Sequence, residues 1–114
     1  MNVYWFQDSK IGHLKQVQAL LDQLKKEMKF SLFIINLSHQ KDLSQLLHDQ
    51  HQFNTSTMLI GAGHDVYSGI LRAKKYLEKL INEDIFSIAV LRPSYKLSSF
   101  DLVIAPEHDF RKRR

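Results

Sequence analysis

Four stretches of this 114-residue chain have the residue types to do chemistry: Asp8-Ser9-Lys10-Ile11-Gly12-His13, Gly61-Ala62-Gly63-His64-Asp65, Arg92 ahead of Pro93, and Pro106-Glu107-His108-Asp109. Histidine titrates near neutrality and a carboxylate can orient its ring. The neighbours His64-Asp65 and His108-Asp109 therefore have the composition of proton-transfer or metal-binding pairs. Glycine at a strand-to-helix turn lets the backbone approach a ligand closely, and the free N–H groups that open the next helix attract phosphate or carboxylate. Gly12 and Gly63 are candidate backbone donors on that ground. Asp8, Lys10, Gly61, His64 and Arg92 are the candidate ligand contacts around them. A plainer reading stands beside this one, in which the glycines serve only as turn residues and Asp65 caps a helix.

Several chemistries are excluded or unsupported. The chain has no cysteine, which removes disulfides, thiolate zinc sites, iron–sulfur clusters and a cysteine nucleophile. Gly61-x-Gly63 is followed by Val66 where a dinucleotide fingerprint needs a third glycine, and no Gly-Lys-Ser/Thr phosphate loop occurs. There is no Gly-x-Ser-x-Gly elbow and no His-Glu-x-x-His helix. His48-x-x-His51 has helical spacing for a metal but no third ligand nearby, and His39 carries no argument. No metal and no cofactor are expected.

The elements that must position these residues follow from hydrophobic periodicity. Asn2 to Phe6 reads as a buried strand that opens into the first polar stretch. Leu14, Val17, Leu20, Leu21, Leu24 and Met28 recur at helical spacing and predict one buried stripe. Ser31 to Leu37 reads as a second strand, and Asp42 can cap a short helix that carries Leu43, Leu46 and Leu47 inward. Thr57 to Ile60 is a third strand. From about Val66 a further helix sets Ile70, Leu71, Leu77, Leu80 and Ile81 against Lys74, Lys75, Glu78 and Lys79 on the other side. Phe86 to Leu91 is a fourth strand stopped at Arg92-Pro93, and Asp101 to Ala105 a fifth.

This alternation, with strands apolar on both faces, predicts an α/β fold: a Rossmann-like, open, mostly parallel sheet of about five strands with helices on both faces. The link from Arg92 to Phe100 is short for a parallel crossover, and so is the weak point of that prediction. In such sheets ligands bind outside the carboxyl ends of the strands. All four chemistry-bearing stretches fall at those ends.

One domain is expected over residues 1–110, followed by a basic tail at 111–114. The formal net charge of +4 resides in that tail, because without Arg111, Lys112, Arg113 and Arg114 the 16 basic residues fall to 12, equal to the acidic ones. Specific nucleic-acid binding is not expected from a neutral body with one terminal tetrad. No apolar run approaches the ~20 residues of a membrane helix, and no signal peptide opens the chain, so a cytoplasmic protein is expected.

Three segments together resemble a known family. They are Trp5-x-x-Asp8-x-Lys10-x-Gly12-His13-x-x-Gln16, Leu59-Ile60-Gly61-Ala62-Gly63, and Phe100-Asp101-Leu102-Val103-Ile104-Ala105-Pro106-Glu107-His108-Asp109. Their order and composition resemble the mitochondrial-fission ELM-one-like family, itself similar to the glycosyltransferase-B superfamily. The resemblance implies two Rossmann-like lobes, of which this chain matches the first, the acceptor side, and stops where the linker to the second would begin. Position 64, often arginine in the family, is histidine here. It further implies that His13, Glu107, His108 or Asp109 acts as a general base on an acceptor hydroxyl, while the second lobe binds a nucleotide-sugar. Transfer by this lobe alone is not expected, and superfamily members usually need no bound metal. The alternative expectation is a stand-alone interaction module that docks a protein partner, a second copy of itself or, through its basic tail, a membrane surface.

Overall fold

The computed structural model describes residues 1–36, 56–81, 85–91 and 99–104. Within them β1 (Asn2–Gln7), α1 (Ile11–Glu27), β2 (Ser31–Asn36), β3 (Thr57–Ala62), α2 (His64–Ile81), β4 (Phe86–Val90) and β5 (Leu102–Ile104) follow one another. The short helix predicted from Asp42, the histidines at 39, 48 and 51, and the ends of the predicted second and fifth strands lie outside the described residues. So do the side chains of Leu80 and Ile81.

The strands form one sheet in the order β2-β1-β3-β4-β5, and every described pairing is parallel. Side chains alternate faces along a strand, so β1 serves two cores at once. Val3 and Trp5 join Ile60, Ala62, Ile88 and Val90 beneath Val17 and Leu21 of α1. Tyr4 and Phe6 join Leu59 and Ala89 beneath Val66, Tyr67, Ile70, Ala73 and Leu77 of α2. The fold is thus the Rossmann-like α/β arrangement the sequence predicts, with a helix on each face. The predicted α1 stripe holds at Val17 and Leu21, while Met28 terminates the helix and is exposed, its N–H bonded back to the Leu24 carbonyl at 3.0 Å.

Gly61 is buried where β3 passes under α2. A Cβ there would collide with the Val66 side chain and stand 2.8 Å from the Phe6 carbonyl oxygen. Close approach of helix to sheet is the physical reason for glycine at this position.

The weak point of the sequence reading is resolved by three anchors between β4 and β5. The chain leaves β4 at Leu91, whose φ of 72° is left-handed, with its N–H donated to the Ile104 carbonyl at 2.6 Å. It returns through Phe100, buried edge-on against Tyr67 with ring centroids 5.6 Å apart. Asp101 then caps the start of β4: its carboxylate accepts the Ser87 N–H at 2.7 Å and the Ser87 hydroxyl at 3.1 Å, and pairs with Lys74 at 2.9 Å. Lys74, placed by periodicity on the solvent side of its helix, instead turns in to this carboxylate. With Leu91, Phe100 and Asp101 fixed in this way, β5 pairs parallel with β4.

Burial alone would raise the Asp101 pKa, but the Lys74 ammonium and the two Ser87 hydrogen bonds outweigh it and hold the carboxyl below its ordinary 3.8. A carboxyl whose pKa is lower folded than unfolded stabilises the fold above the unfolded value and ceases to do so as pH falls through the folded one. Asp101→Asn therefore costs about 1 kcal/mol near neutrality, a modest figure because the pair is partly solvated. Urea midpoints measured against pH should show the two proteins converging below about pH 4. A difference that persists undiminished in acid would show that the charge of Asp101 is not the cause.

On the α1 side, the sheet beyond β3 carries an apolar groove of about 300 Å³. Leu20 and Leu24 of α1, Met58, and the exposed Phe86 and Leu102 at the amino ends of β4 and β5 line it.

Candidate functional site

Strand order reverses at β1: the chain crosses to β2 on one side and later reaches β3 on the other. In an open parallel sheet the connections after the two strands flanking that point leave on opposite faces, which opens a crevice at their carboxyl ends. Here α1 follows β1 on one face and α2 follows β3 on the other, so the crevice lies above Gln7 and Ala62.

The segment from Asp8 to His13 builds one wall. The Asp8 carboxylate accepts the Lys10 N–H at 3.0 Å, an Asx turn that breaks the strand and sets Lys10 as the residue before the helix. The Lys10 carbonyl accepts the Leu14 N–H at 3.1 Å and α1 begins. One turn in, His13 returns toward the loop and its Nδ1 lies 2.7 Å from the other oxygen of Asp8. Both side chains are largely covered, His13 22% and Asp8 16% exposed. An ionised carboxylate only accepts hydrogen bonds, so Nδ1 carries the proton, and in neutral imidazole that leaves Nε2 as the basic nitrogen. The arrangement is an oriented base.

Gly63 builds the facing wall. Its φ of 118° lies in a region side-chain-bearing residues rarely adopt, and a Cβ there would overlap the Asp8 carboxylate and stand 2.7 Å from His13 Nδ1. The dyad rests on this bare Cα. The Gly63 carbonyl accepts the N–H groups of Val66 at 3.0 Å and Tyr67 at 3.3 Å, which starts α2 at His64, two residues before the periodicity places it. Asp65 is therefore inside the first turn and not the N-cap, and its charge faces the positive end of the helix.

The structure brings together Asp8, Lys10, His13 and Gly63 from the residues the sequence singled out. Gly12 stands beside them with nothing within 4 Å of where its Cβ would be, and His64 is exposed at the start of α2. Gly61 lies below, under α2. Arg92, Glu107, His108 and Asp109 fall outside the described residues. Sequence reasoning paired His64 and His108 with the aspartates next to them and missed that His13 pairs with Asp8, five residues back. A strand-ending aspartate followed at i+5 by a histidine in the first helical turn was the available signal. Among the described residues no group of three metal-ligating side chains forms.

Tyr67 was not foreseen either. Its hydroxyl lies 2.8 Å from both the Val90 and the Leu91 carbonyl oxygens and shares its proton between them. Burial raises its pKa, a hydrogen bond from the Gly63 backbone opposes the rise, and the Asp8 charge adds to it. The phenol is thus buried against the carboxyl end of β4.

A Rossmann-like domain with an acid–imidazole dyad at its switch point defines the class: an α/β domain whose carboxyl edge carries a hydrogen-bonded histidine and aspartate. The particular family follows from the sequence match. The chain belongs to the mitochondrial fission ELM1 family, whose model matches residues 11–114, and that family is tied to the glycosyltransferase-B-like fold. No curated protein and no solved structure matches it.

Proposed function

We propose that this chain is the acceptor-side lobe of a glycosyltransferase-B-like centre and that His13 is its general base. The observation that carries the reading is the 2.7 Å contact between His13 Nδ1 and Asp8 at the β1/β3 switch point. In the reaction, the proton of an acceptor hydroxyl passes to His13 Nε2 as the oxygen attacks the anomeric carbon of a nucleotide-sugar. The bond from that carbon to the diphosphate breaks and the diphosphate leaves with the electron pair. Asp8 stabilises the imidazolium that forms. The nucleotide-sugar and the stabilisation of the leaving diphosphate belong to a second lobe, so transfer needs both halves.

Membership of a family tied to this fold supports the reading. The interaction-module reading draws on the apolar groove, which is lined by the amino ends of β4 and β5 and so stands apart from the crevice.

The test is nucleoside diphosphate release from a panel of nucleotide-sugars by the chain joined to its second lobe. His13→Ala should reduce turnover about 10²- to 10⁴-fold, the usual contribution of a positioned base. Unchanged turnover would remove His13 from the mechanism.

A further inference from the structure

Leu91 is the one non-glycine residue with positive φ among those described, and it lies at the carboxyl end of β4, on the edge that carries the dyad. A leucine does not take φ 72° unless its surroundings hold it there. Its N–H is held by the Ile104 carbonyl at 2.6 Å and its carbonyl by the Tyr67 hydroxyl at 2.8 Å. The same hydroxyl binds the Val90 carbonyl, and the Tyr67 N–H binds the Gly63 carbonyl on which α2 starts. One residue thus joins the turn beneath the dyad, through its backbone N–H, to the point where the chain leaves β4, through its hydroxyl, immediately ahead of Arg92.

Resting on the assignment of this edge as the site, we propose that Tyr67 is a positioning residue: its hydroxyl holds Leu91 in the left-handed turn and so sets the β4 exit against the Gly63 shelf. The ring fills the core beside Phe100, and the hydroxyl supplies the turn. The two roles separate in Tyr67→Phe, which keeps the ring. Without the hydroxyl, two carbonyls at the crevice lose their shared donor and Leu91 relaxes toward negative φ, which pulls its N–H away from Ile104.

The experiment is amide hydrogen exchange on the full chain, read at residue 91 and referenced to the core amide of Tyr4. Tyr67→Phe should reduce protection at residue 91 at least tenfold relative to Tyr4. Adding Leu91→Gly to that variant should restore protection to within about twofold of wild type, because glycine takes a positive φ without strain. A purely packing role for Tyr67 predicts no such rescue. Wild-type protection in Tyr67→Phe, or a loss that glycine does not repair, overturns the proposal. Leu91→Gly alone serves if Tyr67→Phe fails to fold: it should leave residue 91 protected, and lost protection there would equally overturn the assignment. None of these readouts requires turnover. Unchanged turnover in His13→Ala would defeat the general-base reading and leave this one standing, whereas a loss of protection at residue 91 that glycine does not repair would do the opposite.

Discussion

Gly63→Ala should unfold the β3–α2 turn's support of the dyad and lower stability by about 2–5 kcal/mol, the largest stability effect expected of a single methyl group in this chain. Two causes add. The first is backbone conformation: φ of 118° lies beyond even the left-handed helical region in which alanine is tolerated with strain. The second is volume, since the new methyl overlaps the Asp8 carboxylate and the His13 ring. Neither partner can yield cheaply, because Asp8 is tied to the Lys10 N–H and His13 belongs to the first turn of α1. For a domain of this size each kcal/mol lowers Tm by roughly 4–8 °C, so a drop of at least about 8 °C is expected. The imidazole nitrogen resonances of His13 should change in the same variant. A Gly63→Ala protein with wild-type Tm and unaltered His13 signals would mean that the dyad does not sit on this turn.

Asp8→Asn should cost turnover about as much as losing the base itself, roughly 10²- to 10⁴-fold in the two-lobe protein. The substitution keeps the shape of the side chain and removes its charge. An amide can present either oxygen or NH₂ to His13 Nδ1, and in the second case the ring proton moves to Nε2, the nitrogen that has to accept one. Even with the original tautomer retained, no carboxylate remains to stabilise the imidazolium formed as the proton transfers. Nitrogen chemical shifts of His13 in the isolated chain should distinguish these outcomes without any substrate. Stability should change little by comparison, because the pair is partly solvated and the Asx turn can be made by asparagine as well. Full turnover in Asp8→Asn, alongside an inactive His13→Ala, would show that the histidine acts without its acid.

Much of this molecule was legible before any coordinates. The unbroken apolar run Val3-Tyr4-Trp5-Phe6 identified a strand buried on both faces, and the helical spacing of Val17 and Leu21 identified the helix that covers one of them. Local periodicity reports which face an element buries, and burial on both faces of several strands leaves a parallel, helix-covered sheet as the arrangement that satisfies them all. The carboxyl-edge rule then gathered Asp8, Lys10, Gly12, His13, Gly63 and His64 to one side.

Partnership was decided by tertiary structure alone. Sequence adjacency drew attention to His64 with Asp65 and gave no sign of the contact between His13 and Asp8, which forms because an Asx turn folds the loop back so that the first helical turn faces the strand end. Gly61 and Gly63 are indistinguishable as letters two positions apart. One is required by the press of Val66 against β3 and the other by a positive φ beneath a carboxylate, distinctions that depend on α2 having docked. Tyr67 carried no signal at all, since its hydroxyl acts on carbonyls 23 and 24 residues away. Helix and strand are properties of neighbours along the chain, while the site is a property of strand ends that meet only when the sheet assembles, and that meeting is what local pattern does not encode.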